Sequence, residues 1–152
     1  MKAFNIFFIL LFLFSAIVQY NDPDPFVWIP IYLYGCVICY LSIKKYFNPW
    51  LFVTGLSIYL SYAAFLFFDS NGVLSWATEH ESENIAQSMK ATKPWIEETR
   101  EFFGLLLLVF ALSVNMIWLV SLKRMQRINA IHTETENNSN PELVVENRNN
   151  GN

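Results

Sequence analysis

Four stretches of the chain, residues 4–20, 26–43, 50–68 and 102–122, contain no Asp, Glu, Lys or Arg. Crossing the hydrocarbon of a bilayer takes about 20 mainly apolar residues, with roughly 17–25 the usual range. All four stretches reach that length, the first at the short end. Inside lipid the backbone must satisfy its own hydrogen bonds, and short connections leave helices as the natural form. Composition agrees: 54% of the residues are apolar and 17% aromatic, with 14 Phe among 152 residues, more than a soluble domain of this size would bury. The expected fold class is therefore an all-α membrane protein, a bundle of four transmembrane helices.

The charged residues cluster between and after these stretches and set an orientation. Short loops rich in Lys and Arg stay in the cytoplasm. Lys2 precedes the first stretch, Lys44 and Lys45 follow the second, and Lys123, Arg124 and Arg127 follow the fourth. The first connection holds Asp22 and Asp24 but no Lys or Arg. The third, residues 69–101, holds seven acids against Lys90, Lys93 and Arg100. Both termini are thus expected inside, in a cell (inner) membrane. The formal charge of −3 offers no basic surface for nucleic acid. The expected partners are the lipid bilayer and either a second copy or another membrane protein. Lys2 before an apolar run also suits a signal peptide, but Ser15-Ala16-Ile17 lacks small residues at both cleavage positions, so the segment is expected to stay.

Local signals mark the helix ends. Asp24-Pro25 and Asn48-Pro49 each read as an N-cap followed by proline in the first helical position, where its missing N–H costs nothing. Pro94 is expected in the first turn of the last helix, which would begin outside the membrane. Pro30, inside the second stretch, removes a backbone hydrogen bond and should bend that helix. Thr78-Glu79-His80-Glu81 resembles a capping box, which would open a short outer helix through about Ala91. Residues 1–127 form the expected transmembrane domain, with 69–101 as its outer loop. Residues 128–152, polar and rich in Asn, read as a disordered cytoplasmic tail.

Polar groups within apolar stretches are costly and usually point into a bundle. At 100° per residue Asn5, Ser15 and Gln19 fall within about 80° of one another, with Phe8 and Phe12 between them. Thr54, Ser57 and Ser61 form a stripe of small residues read as helix packing. On a continuous last helix, Glu97, Arg100, Glu101 and Gly104 share a sector about 100° wide, which Leu108, Ala111 and Asn115 extend deeper. The turn Asn21-Asp22-Pro23-Asp24-Pro25 belongs to the same outer face. Two readings follow. Two Asp-Pro steps make a rigid turn and Arg100 pins helix ends, or Gln19, Asn21, Asp22, Arg100 and Glu101 form a polar pocket. In a pocket, Arg100 would suit a carboxylate or phosphate through its planar fork, and the acids a cation.

The run Val18-Gln19-Tyr20-Asn21-Asp22-Pro23-Asp24, with Trp28 and Tyr32 after it, resembles the opening of the transmembrane protein 220 family. Glu98-Thr99-Arg100-Glu101-Phe102-Phe103-Gly104-Leu105 is similar to that family's second signature. The resemblance implies a small multi-span membrane protein and no particular reaction. Both signatures land where the topology places the candidate outer-face cluster, Gln19, Asn21, Asp22, Asp24, Trp28, Glu97, Glu98, Arg100 and Glu101.

Rival chemistries are less well supplied. Cys36-Val37-Ile38-Cys39 suggests a thiol oxidoreductase, but that chemistry needs an accessible thiolate and a partner disulfide. Both cysteines lie in an apolar run and are read as packing residues. Glu79, His80, Glu81 and Glu83 offer one His, where zinc usually takes three or four well-placed ligands. No nucleophile elbow, paired-histidine zinc motif or glycine-rich phosphate loop occurs. No catalytic residue, metal or cofactor is expected. The leading function is a membrane protein whose outer cluster fixes the bundle or docks a partner. A small-molecule or ion binder is the alternative, and a membrane-embedded redox enzyme or hydrolase a third reading.

Overall fold

Each apolar stretch becomes a helix with the boundaries its punctuation dictates. The computed structural model describes residues 1–21, 24–79, 84–85 and 93–139. Among them the regular structure is helical: α1 Lys2–Val18, a 3-10 turn Gln19–Asn21, α2 Pro25–Ile43, α3 Pro49–Phe68, α4 Val73–Thr78 and α5 Pro94–Ser139. α2, α3 and α5 are long and apolar enough to cross a membrane, while α1 is a shorter apolar helix of 17 residues. Prolines 25, 49 and 94 each stand at a helix start. The Asn48 side chain accepts from the Trp50 N–H at 3.1 Å, the capping bond its position suggested. Asp24 holds the matching place before α2, but its side chain makes no capping bond there.

The end of α2 closes with a left-handed residue. Lys45 has φ 57°, its N–H bonds to the Ser42 carbonyl at 2.9 Å, and the Tyr46 N–H bonds back to Leu41 at 3.0 Å. This is the paired bonding that ends many helices, made here without the glycine that usually serves it. Two lysines beside the last carbonyls also complement the negative end of the helix.

The chain forms two compact units, Met1–Met116 and Ile117–Asn152. In the first, helices meet through aromatic rings and glycines. Phe12 of α1 packs on Tyr32 of α2 at 6.3 Å, and Phe4 and Phe8 of α1 pack on Phe110 of α5 at 6.2 and 6.1 Å. Phe67 of α3 lies 5.8 Å from Phe102 of α5. Such ring pairs contribute about 0.5–1.5 kcal/mol each beyond their burial. That matters in lipid, where apolar area alone does not drive helices together. Three glycines set the closest approaches. A Cβ at Gly35 would overlap Leu108 and press on Phe12, one at Gly55 would press on Tyr34 and Leu112, and one at Gly104 would overlap the Tyr32 hydroxyl. Tyr34 lies across Gly55 and donates to the Leu51 carbonyl at 2.7 Å, and Tyr59 donates to Ile31 at 2.8 Å, so two tyrosines tie α2 to α3.

Three expectations need correction. Thr54, Ser57 and Ser61 are exposed, and α3 instead buries Phe52, Gly55, Tyr59, Ala63 and Leu66. The small stripe is therefore not the buried face of α3 among the described residues, because the larger apolar face fills the interface. Thr78 closes α4 rather than opening a helix: its hydroxyl donates back to Leu74 at 2.8 Å, the local bond that competes with a cap. Residues 80–83 and 86–92, where the expected outer helix falls, lie outside the described residues. Finally, residues 128–139, expected in a disordered tail, are helical. In the unit Ile117–Asn152 the hydroxyls of Thr133 and Thr135 donate to carbonyls one turn back, at 3.0 and 2.9 Å. Extending a formed helix gains one backbone bond per residue fixed, which offsets the weak propensity of Asn and Thr. Residues 140–152 lie outside the described residues.

Candidate functional site

The start of α2, the end of α3 and the start of α5 supply the polar groups. α2 starts at Asp24, half-buried, and places Trp28 one turn later, fully buried. The Trp28 ring stacks on Tyr62 of α3 at 5.4 Å and lies 6.1 Å from Tyr32. The charges of Glu101 and Glu98 of α5 and of Asp24 of α2 act electrostatically on Tyr62. Tyr62 was not among the sequence candidates. It sits two turns before the end of a span, where a tyrosine commonly turns its hydroxyl toward the interface, and that is the signal that could have found it.

A second junction joins α3 to α5. Asp69 follows the last residue of α3, and its Oδ2 accepts from the Asn71 N–H at 3.2 Å and from the Ser70 hydroxyl at 3.3 Å. Its carboxyl lies within hydrogen-bonding range of Glu98. Burial pushes the Glu98 carboxyl above its usual range, and the neighbouring Asp69 and Glu97 push the same way. Glu98 Oε2 is buried and without a hydrogen-bond partner, as are Trp28 Nε1 and the Thr99 hydroxyl.

Of the sequence candidates, Trp28 stacks on Tyr62, and Asp24, Glu98 and Glu101 act on it electrostatically. Glu97 and Arg100 are half-buried on the same two turns of α5. The fully buried residue of those turns is Thr99 rather than a charged one. The deeper stripe behaves as its spacing required, with Leu108, Ala111 and Asn115 all buried. Gln19 is half-buried in the turn after α1, and Asn21 ends that turn. Asp22 and Pro23 lie outside the described residues, so the Asp22–Arg100 approach does too.

The arrangement can accept hydrogen bonds and hold a polar group against aromatic rings. Among the described residues no three of His, Cys, Asp and Glu stand close enough to hold one metal ion. Cys36 and Cys39 are free thiols. The first lies 3.7 Å from the Ile9 carbonyl, which its S–H faces, and the second is fully buried, so both fill helix interfaces. His80, Glu81 and Glu83 lie outside the described residues.

No curated protein and no solved structure is detectably similar to the chain. A family profile, Transmembrane family 220, helix, matches residues 11–117. That match takes in the Asp-Pro turn, Trp28, Tyr62, Asp69 and the Glu-Thr-Arg-Glu run together. The chain is a member of transmembrane family 220.

Proposed function

We propose that this family member is a four-span membrane protein with both ends in the cytoplasm, and that its outer polar cluster pins the helix ends and presents a docking surface for a membrane partner. α1 is taken as the fourth span: with the 3-10 turn it covers residues 2–21, about the length hydrocarbon demands. The lysine-rich ends and the acid-rich third connection support the orientation. The observation that carries the reading is that acids of both α2 and α5 act electrostatically on Tyr62 of α3, whose ring stacks on the buried Trp28. Groups drawn from three helices at one membrane face fix those helices relative to one another, and buried polar networks are best attested in such a specifying role.

The second reading, a small-molecule or ion binder at the same place, draws on Glu98 Oε2 and Trp28 Nε1, which are buried and have no partner in the chain. Arg100→Ala separates the two. Loss of unfolding resistance in membranes, with binding of added carboxylates, phosphates and cations unchanged, supports pinning. A variant as stable as the parent that loses binding or uptake of one of those solutes supports the binder.

A further inference from the structure

Far from the outer cluster, two asparagines are buried where the chain offers them too few partners. Asn5 of α1 and Asn115 of α5 are both 0% exposed. Asn115 Nδ2 donates to the Ala111 carbonyl at 2.9 Å. Its Oδ1 and both polar atoms of Asn5 have no hydrogen-bond partner among the described residues. An amide left unsatisfied in an apolar interior is costly, so such groups are normally met by protein or by bound water.

Helix register sets Asn5 of α1 near the level of Cys39 of α2, the neighbour of Asn115. The Cys36 thiol of α2 faces the Ile9 carbonyl of α1 at 3.7 Å. One turn back along α1 from Ile9 is Asn5, and one turn on along α2 from Cys36 is Cys39. A short turn joins these helices, so they run in opposite directions and Asn5 stands level with Cys39. Cys39 in turn lies 4.0 Å from Asn115 Nδ2.

We propose that Asn5 and Asn115 hold a buried water molecule beside Cys39, bridging α1 to α5. The unmet groups are one donor, Asn5 Nδ2, and two acceptors, Asn5 Oδ1 and Asn115 Oδ1. A single water complements that set, because it donates two hydrogen bonds and accepts from an N–H. Buried waters typically make about three bonds of this kind to groups otherwise unsatisfied. Asn5 lies in the first turn of α1, so the site is close to one end of the helices, where exchange with bulk water has the shortest path. The water links two helices whose other contacts here are ring on ring, and it makes Cys39 a thiol with water beside it despite its burial.

Radiolytic labelling tests the site directly. The full-length protein in lipid nanodiscs, equilibrated with heavy-oxygen water, receives brief X-ray pulses, and hydroxyl radicals formed from bound water mark the side chains beside it. Heavy oxygen is expected at Cys39 on the shortest pulses. It should be lost in Asn5→Leu and in Asn115→Leu, while labelling of Cys36 is unchanged. Leucine is among the residues best accepted within a span, and the two variants are independent, so either decides alone. Cys39 unlabelled in the parent protein, or labelled equally in a folded variant, overturns the proposal.

Discussion

At the scale of single residues, the positions that matter most are those where one atom decides whether helices can meet. Gly104 lies under the Tyr32 hydroxyl. Gly104→Val should lower resistance to unfolding by about 1–3 kcal/mol, the usual cost of overpacking a filled interface. Shortening the opposing side chain with Tyr32→Phe should restore part of the loss, and denaturation of both variants in mild detergent measures the coupling. Lys45 makes the opposite case. A non-glycine residue in the left-handed region is strained by roughly 1–2 kcal/mol. Lys45→Gly should therefore raise stability by up to about 1 kcal/mol, once the extra freedom glycine gives the unfolded chain is set against it. A fall in the unfolding midpoint would mean that the Lys45 charge outweighs its backbone strain.

Between elements, the α3–α5 junction ties pH to structure. Glu98 is shifted upward by burial and by Asp69. A folded state that raises an acid's value binds the proton more tightly than the unfolded state does. The contribution of this group is therefore fully present below its ordinary range and is lost as pH rises through its raised value. Hydrogen exchange at the start of α5 should be slowest in acid and quicken toward neutral pH. Glu98→Gln, which keeps the neutral form, should flatten that profile and slow exchange at neutral pH. A profile unchanged by the substitution would show that Glu98 does not carry it.

The same elements show what the sequence could reveal. Helix starts were legible because Pro25, Pro49 and Pro94 act locally, and the buried stripe Leu108–Ala111–Asn115 because periodicity is local too. Tyr62 and Asp69 were not legible, since their roles depend on which helices lie beside them. Periodicity along α3 offered the stripe Thr54–Ser57–Ser61 as readily as the face containing Phe52 and Tyr59, and only packing against α2 and α5 chose between them. Residues 128–139 misled for a different reason: composition reports the missing core, and helix propagation does not need one.

For the whole molecule, the account joins an architecture to a site. Family membership and three long apolar helices make it an integral membrane protein. The proposed topology predicts that single cysteines placed in the 69–101 connection, in a background with Cys36→Ser and Cys39→Ser, react with impermeant reagents from outside intact cells. Cysteines replacing Lys44 or Arg127 should react only after the membrane is opened.

The central claim is that α2 and α5 bring their carboxylates together at one outer face. In the same Cys36→Ser, Cys39→Ser background, Asp24→Cys and Glu101→Cys would be combined, and a short, impermeant, thiol-to-thiol cross-linker added to intact cells. The account predicts an intramolecular link in the double variant, absent from either single variant. Both positions labelled singly from outside but never linked would contradict it, leaving two helix ends that share a membrane face without sharing a site.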